Sequence, residues 1–108
     1  DKMVMFALDL DNGKFYMGYD GSWFTSGDPT SGATGTGAIA TLDATDLSFT
    51  IIPALTNATN TTYYKMNFGN PAYAIASSNT DGDGFGNFEF AVPSGYFSWC
   101  TKNLAEYG

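Results

Sequence analysis

Two runs of aromatic and aliphatic residues open the chain, at Met3–Leu10 and Lys14–Tyr19, and they are separated by Asp11-Asn12-Gly13. Asn-Gly is a strong hairpin signal, because a type I′ turn requires positive φ at both central residues. The pattern therefore predicts an antiparallel hairpin with a type I′ turn, in which Asp11 supports the turn. A second turn is predicted at Asp20–Trp23, where the return arm ends.

Further along the chain, apolar runs and alternating positions predict more strands. The clearest alternation puts Tyr64, Met66 and Phe68 on one face, which we expect to point inward. The four additional predicted strands are Leu47–Leu55, Thr62–Phe68, Phe88–Val92 and Tyr96–Thr101.

Two stretches without periodicity predict long surface loops, at Thr25–Thr41 and Pro71–Gly86. Only Ser98–Tyr107 has a composition that a short helix could use, and we expect no helix there. Aromatic residues are numerous for a chain of 108 residues, with nine Phe, seven Tyr and two Trp. Thirteen Gly residues are available for turns. Aromatic-rich strands separated by glycines favour a single all-β domain, a sandwich or barrel.

The charge distribution excludes several functions. Eleven acidic residues against four basic ones give a net charge of −7, which disfavours binding to nucleic acid and to anionic membranes. The chain has no His, which removes the Ser-His-Asp triad and most zinc sites. No apolar run approaches the roughly 20 residues that span a bilayer, so we expect no membrane insertion.

The acidic loop is the motif closest to known site chemistry. Asn79, Asp81 and Asp83 carry oxygen ligands at alternate positions before a glycine, as at the start of a calcium-binding loop. The match fails at its end, because Phe90 stands where a bidentate Glu belongs and Glu89 comes one residue early. Two interpretations stay open, a calcium site and a plain Asx- and Gly-rich turn, and no other cofactor is expected.

Enzymatic activity is not expected, since the two glutamates, Glu89 and Glu106, lie in no recognisable catalytic context. The single cysteine, Cys100, lies in an aromatic run and is predicted to be a buried apolar residue. Exposed aromatic side chains could stack on sugar rings or on a partner protein. The candidates for such ligand contacts are Trp23, Phe24 and Tyr73.

Several blocks, in order along the chain, resemble the C-terminal portion of a SPRY domain of the type found in phage and viral structural proteins. The blocks are Asp1–Tyr16, Asp20–Trp23, Ser26–Pro29, Ile52–Ala54, Met66–Asn70, Gly84–Phe88, Val92–Tyr96 and Cys100–Leu104. The resemblance implies an antiparallel β-sandwich of the jelly-roll or concanavalin-like type. It also implies that residues 1–108 form the C-terminal part of one such domain, hence an incomplete domain. The Gly-rich Thr30–Thr41 and Ile52-Pro53-Ala54 depart from the family pattern.

The resemblance further implies a location on the virion and a partnership with other virion proteins in a homo-oligomer. The preferred function is adhesion by a tail fibre, spike or capsid fibre to a glycan or protein of the host surface. The alternatives are a capsid or tail decoration protein that stabilises the particle without a ligand, an intracellular SPRY protein-interaction module, and a glucanase-like enzyme. The acidic residues argue against a glucanase-like enzyme, because neither glutamate lies in a recognisable catalytic context.

Overall fold

The computed structural model describes residues 2–43, 54, 56, 61 and 63–107. The predicted strand Leu47–Leu55 lies almost entirely outside the described residues. The chain divides into two compact units, of which the first comprises Asp1–Ser48 with Pro93–Tyr96 and the second comprises Phe49–Val92 with Phe97–Gly108. Four antiparallel strands form one sheet, and the α-helix of the described residues has only seven residues, so the β-rich class is confirmed.

The predicted hairpin is present in the first unit. Strands β1 (Val4–Asp9) and β2 (Lys14–Tyr19) pair antiparallel over their full length, from Val4 opposite Tyr19 to Asp9 opposite Lys14.

The connection between the two strands differs from the predicted type I′ turn. Residues 10–13 link the strands, and only Gly13 among them has positive φ, at 61°. The Asp9 carboxylate accepts hydrogen bonds from the Asn12 backbone N–H (3.0 Å) and side-chain Nδ2 (2.8 Å). A longer loop closed by an aspartate side chain replaces the tight turn, and Asp9 has the role predicted for Asp11.

The tight turn occurs instead at Asp20-Gly21, where both residues have positive φ, 45° and 85°. It connects β2 to β3 (Ser22–Trp23), with Tyr19 opposite Ser22. The Asp20 carboxylate also accepts a hydrogen bond from the Met3 N–H (2.9 Å) and forms an ion pair with Lys2. These contacts hold the start of β1 against the turn.

The core of the first unit lies on one face of the hairpin. Ala7 and Tyr16 are buried there, and no surface of the Tyr16 side chain is exposed. The segment Pro29–Thr34, a 3₁₀ helix, supplies Ser31, whose Oγ lies 3.4 Å from the Tyr16 hydroxyl. The Tyr96 hydroxyl donates to the Pro29 carbonyl oxygen at 2.8 Å. This segment and Tyr96 complete the core around the Tyr16 side chain.

The opposite face of the hairpin is apolar and exposed. Val4, Phe6 and Tyr19 are 46%, 51% and 41% exposed, and the rings of Phe6 and Phe15 stack with centroids 6.0 Å apart. Alternation along a strand puts these side chains on the face away from Ala7. Both faces of the β1–β2 hairpin are therefore apolar, but only one is buried.

The predicted loop Thr25–Thr41 is irregular, as expected, except for two 3₁₀ segments (Phe24–Ser26 and Pro29–Thr34) and the short strand β4 (Ala40–Thr41), which pairs with β2. Two backbone segments approach closely within it. A Cβ atom added to Gly37 would lie 2.5 Å from the Gly27 Cα and 2.8 Å from the Thr25 carbonyl oxygen.

We expect Gly37→Ala to lower the free energy of unfolding by about 3 kcal/mol, because the new methyl group meets backbone and φ is positive there (64°). The measurement is urea denaturation of the purified chain. Gly82→Ala is the matched control, since Gly82 has no neighbour within 4 Å of the added Cβ atom. An equal effect of both substitutions would contradict the close approach.

The second unit has little regular structure, and several predictions on it are wrong. Among its described residues, the only strand-like pairing is a single bridge between Asn79 and Phe88. The strands predicted at Thr62–Phe68, Phe88–Val92 and Tyr96–Thr101 do not form in the described residues. Alternation indicates the period of a strand but not its partner, and apart from the bridge at Phe88 no described segment pairs with these runs.

The inward face predicted for Tyr64, Met66 and Phe68 is also wrong, since all three side chains are exposed. Helix α1 (Thr101–Tyr107) lies where no helix was expected. It begins after Cys100, whose carbonyl oxygen accepts a hydrogen bond from the Leu104 N–H at 3.0 Å. None of the helices in the described parts of the chain has the length and apolar character needed to cross a bilayer.

Candidate functional site

A buried carboxylate organises the second unit. Asp81 is 6% exposed, and its Oδ1 atom accepts hydrogen bonds from the backbone N–H groups of Asp83 (3.1 Å) and Phe85 (2.9 Å). Its Oδ2 atom accepts from the Ser98 N–H (2.8 Å), the Ser98 hydroxyl (2.7 Å) and the Asn103 amide (2.8 Å). We call these five residues the Asp81 network. It connects the acidic loop to α1 and to the segment that precedes the helix.

The network keeps Asp81 ionised. Burial acts to raise the pKa of Asp81, but the hydrogen bonds from Ser98, Phe85 and Asn103 outweigh it and hold that pKa well below its ordinary value. A buried carboxylate that accepts this many donors is a stable anion at neutral pH.

Local sequence explains how the acidic loop forms. The Asp81 N–H donates to the Phe85 carbonyl oxygen (2.8 Å) and the Gly84 N–H donates to the Asp81 carbonyl oxygen (3.1 Å). Gly84 has a φ of 80°, which glycine adopts without a steric penalty. The Asn79–Phe88 bridge closes the loop outside this turn, with N–H to carbonyl distances of 2.8 Å in both directions. The Asp-Gly-Asp-Gly run thus forms a turn around one side chain.

The three candidate calcium ligands each have partners within the protein. The Asn79 amide donates to the carbonyl oxygens of Phe88 (3.3 Å) and Glu89 (3.0 Å). The Asp83 carboxylate accepts from the Tyr107 hydroxyl at 2.9 Å. No group of three His, Cys, Asp or Glu residues in the described ranges is arranged to hold a metal ion. The calcium site stays a prediction, and a cation there must compete with N–H and O–H donors for Asp81.

Exposed aromatic side chains surround the network. Ser98 is buried by its hydrogen bonds to Asp81, whereas its neighbours Phe97 and Trp99 are 43% and 54% exposed. Trp99 contacts Phe68 edge to face, with centroids 5.6 Å apart, and Phe97 stacks on Tyr107 at 4.4 Å. We call these two contacts the aromatic pairs. Each pair holds its rings in a fixed orientation while leaving part of their surface open to solvent.

The aromatic pairs present flat apolar surface to solvent. Half-exposed aromatic rings offer a flat apolar surface to a sugar ring or to an apolar side chain of a partner. Because Ser98 and the ring partners already restrict Phe97 and Trp99, contact with a ligand orders few additional side-chain torsions.

The predicted ligand residues are not brought together in one described unit. In the first unit, Trp23 is half-buried with its ring against Gly18, and Phe24 is exposed in a 3₁₀ segment. In the second unit, Tyr73 is half-buried, and the Lys65 ammonium lies 5.7 Å from its ring centroid. Of the three side chains, that of Phe24 is the most exposed to solvent.

Sequence reasoning missed the aromatic pairs. In the run Phe97-Ser98-Trp99, aromatic residues on either side of a serine indicate buried rings and an exposed hydroxyl, whereas the serine is the buried residue here. The reversal depends on Asp81, seventeen residues earlier along the chain, which accepts the Ser98 donors. No local signal in the sequence marks that pairing.

Cys100 is half-buried, in place of the full burial that was predicted, and it is a free thiol. The Asn103 N–H donates to its sulfur and lowers the pKa of the thiol. The cysteine therefore caps the first turn of α1.

Comparisons of the chain with protein-family models, with curated protein sequences and with solved structures find no match.

Proposed function

We propose that this chain is a non-enzymatic surface domain of a virion, part of a tail fibre, spike or capsid fibre, which adheres to a glycan or protein of the host surface. The observation that carries the proposal is the presence of two aromatic pairs held in place around a buried anion. Enzymes most often use His to move protons and Arg to bind anions, and the chain has neither residue. No cofactor is part of the proposal.

The SPRY-like sandwich belongs to the same proposal. A sandwich buries one face of each sheet against the other sheet. The exposed apolar face of β1 and β2, with Val4, Phe6 and Tyr19, supports a second layer over it. That layer would come from further residues of the protein or from another chain, in keeping with an incomplete domain.

Charge narrows the ligand class. With a net charge of −7, the chain repels sialylated or sulfated glycans, most strongly at low ionic strength. Stacking on an aromatic ring does not require ligand charge, because the apolar face of a pyranose supplies the contact. Neutral oligosaccharides are therefore the preferred ligands, followed by neutral or basic protein surfaces.

Trp99→Ala is expected to weaken binding to neutral oligosaccharides at least about tenfold, because it removes the exposed indole ring of the Trp99–Phe68 pair. The measurement is binding of the purified chain to an array of neutral and sialylated oligosaccharides. Tyr63→Ala is the matched control, since Tyr63 is the most exposed aromatic residue described and has no described ring partner. Point substitution is preferable to deletion of Pro71–Gly86, which would remove Asp81.

Decoration of the particle is the second candidate function. It is favoured if the wild-type chain binds no array component and no host cell, while particles that lack the chain lose their contents at a lower temperature than wild-type particles. An intracellular SPRY module would instead bind a peptide. Equal binding of wild type, Trp99→Ala and Tyr63→Ala to the array would contradict adhesion through the aromatic pairs.

A further inference from the structure

The outer edge of β1 is unpaired among the residues that the structure describes. Strand β1 pairs with β2 on one side, and the other described strands, β3 and β4, both pair with β2. The Asp20 N–H donates to the Met3 carbonyl oxygen at 2.9 Å, so the odd-numbered residues of β1 exchange hydrogen bonds with β2. The backbone groups of Val4, Phe6 and Leu8 consequently point away from the sheet.

This edge lacks the usual protection against strand pairing. Natural edge strands are shielded by proline, lysine, a bulge or a covering segment. The sequence of β1 is VMFALD, which contains neither proline nor lysine, and its register with β2 runs without a bulge. Its only charge, Asp9, is at the end of the strand and binds Asn12. The exposed side chains of Val4 and Phe6 border the edge with apolar surface.

We propose that the outer edge of β1 pairs antiparallel with β1 of a second copy of this chain, about a two-fold axis at Phe6. In that register Val4 lies opposite Leu8 of the second copy, and the two Phe6 residues lie opposite each other. All three outward-directed residues then form hydrogen-bonded pairs, each of which exchanges two bonds. A shift of two residues in either direction leaves one of the three without a partner in the strand.

Charge favours the antiparallel arrangement. Lys2 precedes β1, whereas Asp9 and Asp11 lie at its far end. Antiparallel pairing brings the Lys2 end of each copy beside the acidic end of the other. Parallel pairing would instead set the carboxylates of the two copies side by side, which is unfavourable for like charges on adjacent strands. The distribution of charge along β1 therefore favours the antiparallel over the parallel orientation of two copies.

The two-fold strand pair does not depend on the adhesive role proposed above. It continues the β1–β2–β3 sheet across the axis, and the stacked Phe6 and Phe15 rings of each copy meet those of the other on one face of the joined sheet.

Sedimentation equilibrium tests the pair on the full chain. Wild type is expected to form a dimer, and Phe6→Lys is expected to weaken it at least about 100-fold, because two like charges meet at the axis. Tyr63→Lys is the control, since it puts the same charge on an exposed aromatic position of the second unit. A monomeric wild type, or an equal loss in the control, would overturn the proposal, and circular dichroism establishes that each variant is folded.

Disulfide trapping tests the register. The Cα atoms of a hydrogen-bonded antiparallel pair lie about 5.5 Å apart, within the range of about 4.4–6.8 Å that a disulfide spans. In a Cys100→Ser background, Phe6→Cys is expected to form a covalent dimer under mild oxidation, whereas Val4→Cys, which lies opposite Leu8, is expected to form no disulfide between the copies. Cross-linking of Val4→Cys as fast as that of Phe6→Cys would contradict the axis at Phe6.

Discussion

Replacing Asp81 with asparagine is expected to lower the free energy of unfolding by about 3 kcal/mol at pH 7, since hydrogen bonds to a buried charge are among the strong ones. The substituted amide keeps one acceptor oxygen but turns an NH₂ group toward N–H and O–H donors. Ser98 and Asn103 contribute three of those donors, and both residues are buried. Urea denaturation followed by tryptophan fluorescence measures the change.

Asp11→Asn is the matched control. Asp11 is exposed in the β1–β2 connection, so the same chemical change there is expected to alter stability by less than about 0.5 kcal/mol. If Asp81→Asn were as stable as Asp11→Asn, the carboxylate would not be the centre of the second unit.

The stabilisation by Asp81 should also depend on pH with a definite sign. Because the network lowers the pKa of Asp81 in the folded chain, its contribution is complete above the ordinary value of 3.8 and is lost as the pH falls below it. The difference in unfolding free energy between wild type and Asp81→Asn should therefore narrow between pH 4 and pH 2. Asp20, Asp28 and Glu89 also have lowered pKa values, but they are common to both proteins and cancel in the difference.

Tyr16→Ala is the second substitution with a large expected effect, a loss of about 3–5 kcal/mol, because it empties the centre of the first unit. Tyr16 has no exposed surface, and it lies on the face that Ala7 and the Pro29–Thr34 segment complete. Thermal unfolding of the purified variant, by circular dichroism, measures the loss.

Two control variants distinguish the effect of ring burial from the effect of the hydroxyl group and from the effect of truncating a tyrosine anywhere on β2. Tyr16→Phe keeps the ring and removes a contact of 3.4 Å with Ser31, so we expect a loss of less than about 1 kcal/mol. Tyr19→Ala truncates the same residue type on the exposed face of β2, with a similarly small effect. A Tyr19→Ala variant that lost as much stability as Tyr16→Ala would show that the exposed face is covered, as it would be by the second layer of a sandwich.

The hairpin could be predicted from the sequence because its signals are local. Apolar runs flank a turn sequence, and β1 and β2 form there, paired from Val4 opposite Tyr19 to Asp9 opposite Lys14. The turn types could not be assigned correctly, because the sequence contains two Asp- and Gly-containing turns and their composition does not show which of them adopts the type I′ geometry. Asp20-Gly21 adopts the positive φ values, whereas the side chain of Asp9 closes the other connection.

The second unit could not be predicted, because its organising contacts are distant in sequence. The run around Tyr64, Met66 and Phe68 has strand periodicity, but no described strand pairs with it. The spacing of the acidic loop indicates Asp81 as a candidate calcium ligand, whereas in the structure its oxygens accept hydrogen bonds from Ser98 and Asn103. Spacing within one loop reveals which oxygens are near each other, but not which donors reach them from elsewhere in the chain.

The Asp81 network also governs how the second unit comes apart. A sheet or a long helix loses order from its ends, because each backbone bond depends only on its neighbours. Here the order of the acidic loop, of Ser98 and of the α1 residue Asn103 depends on two oxygen atoms of one side chain. We therefore expect this region to lose its order in one cooperative step when that carboxylate is lost, so that its amide protons become accessible to solvent together.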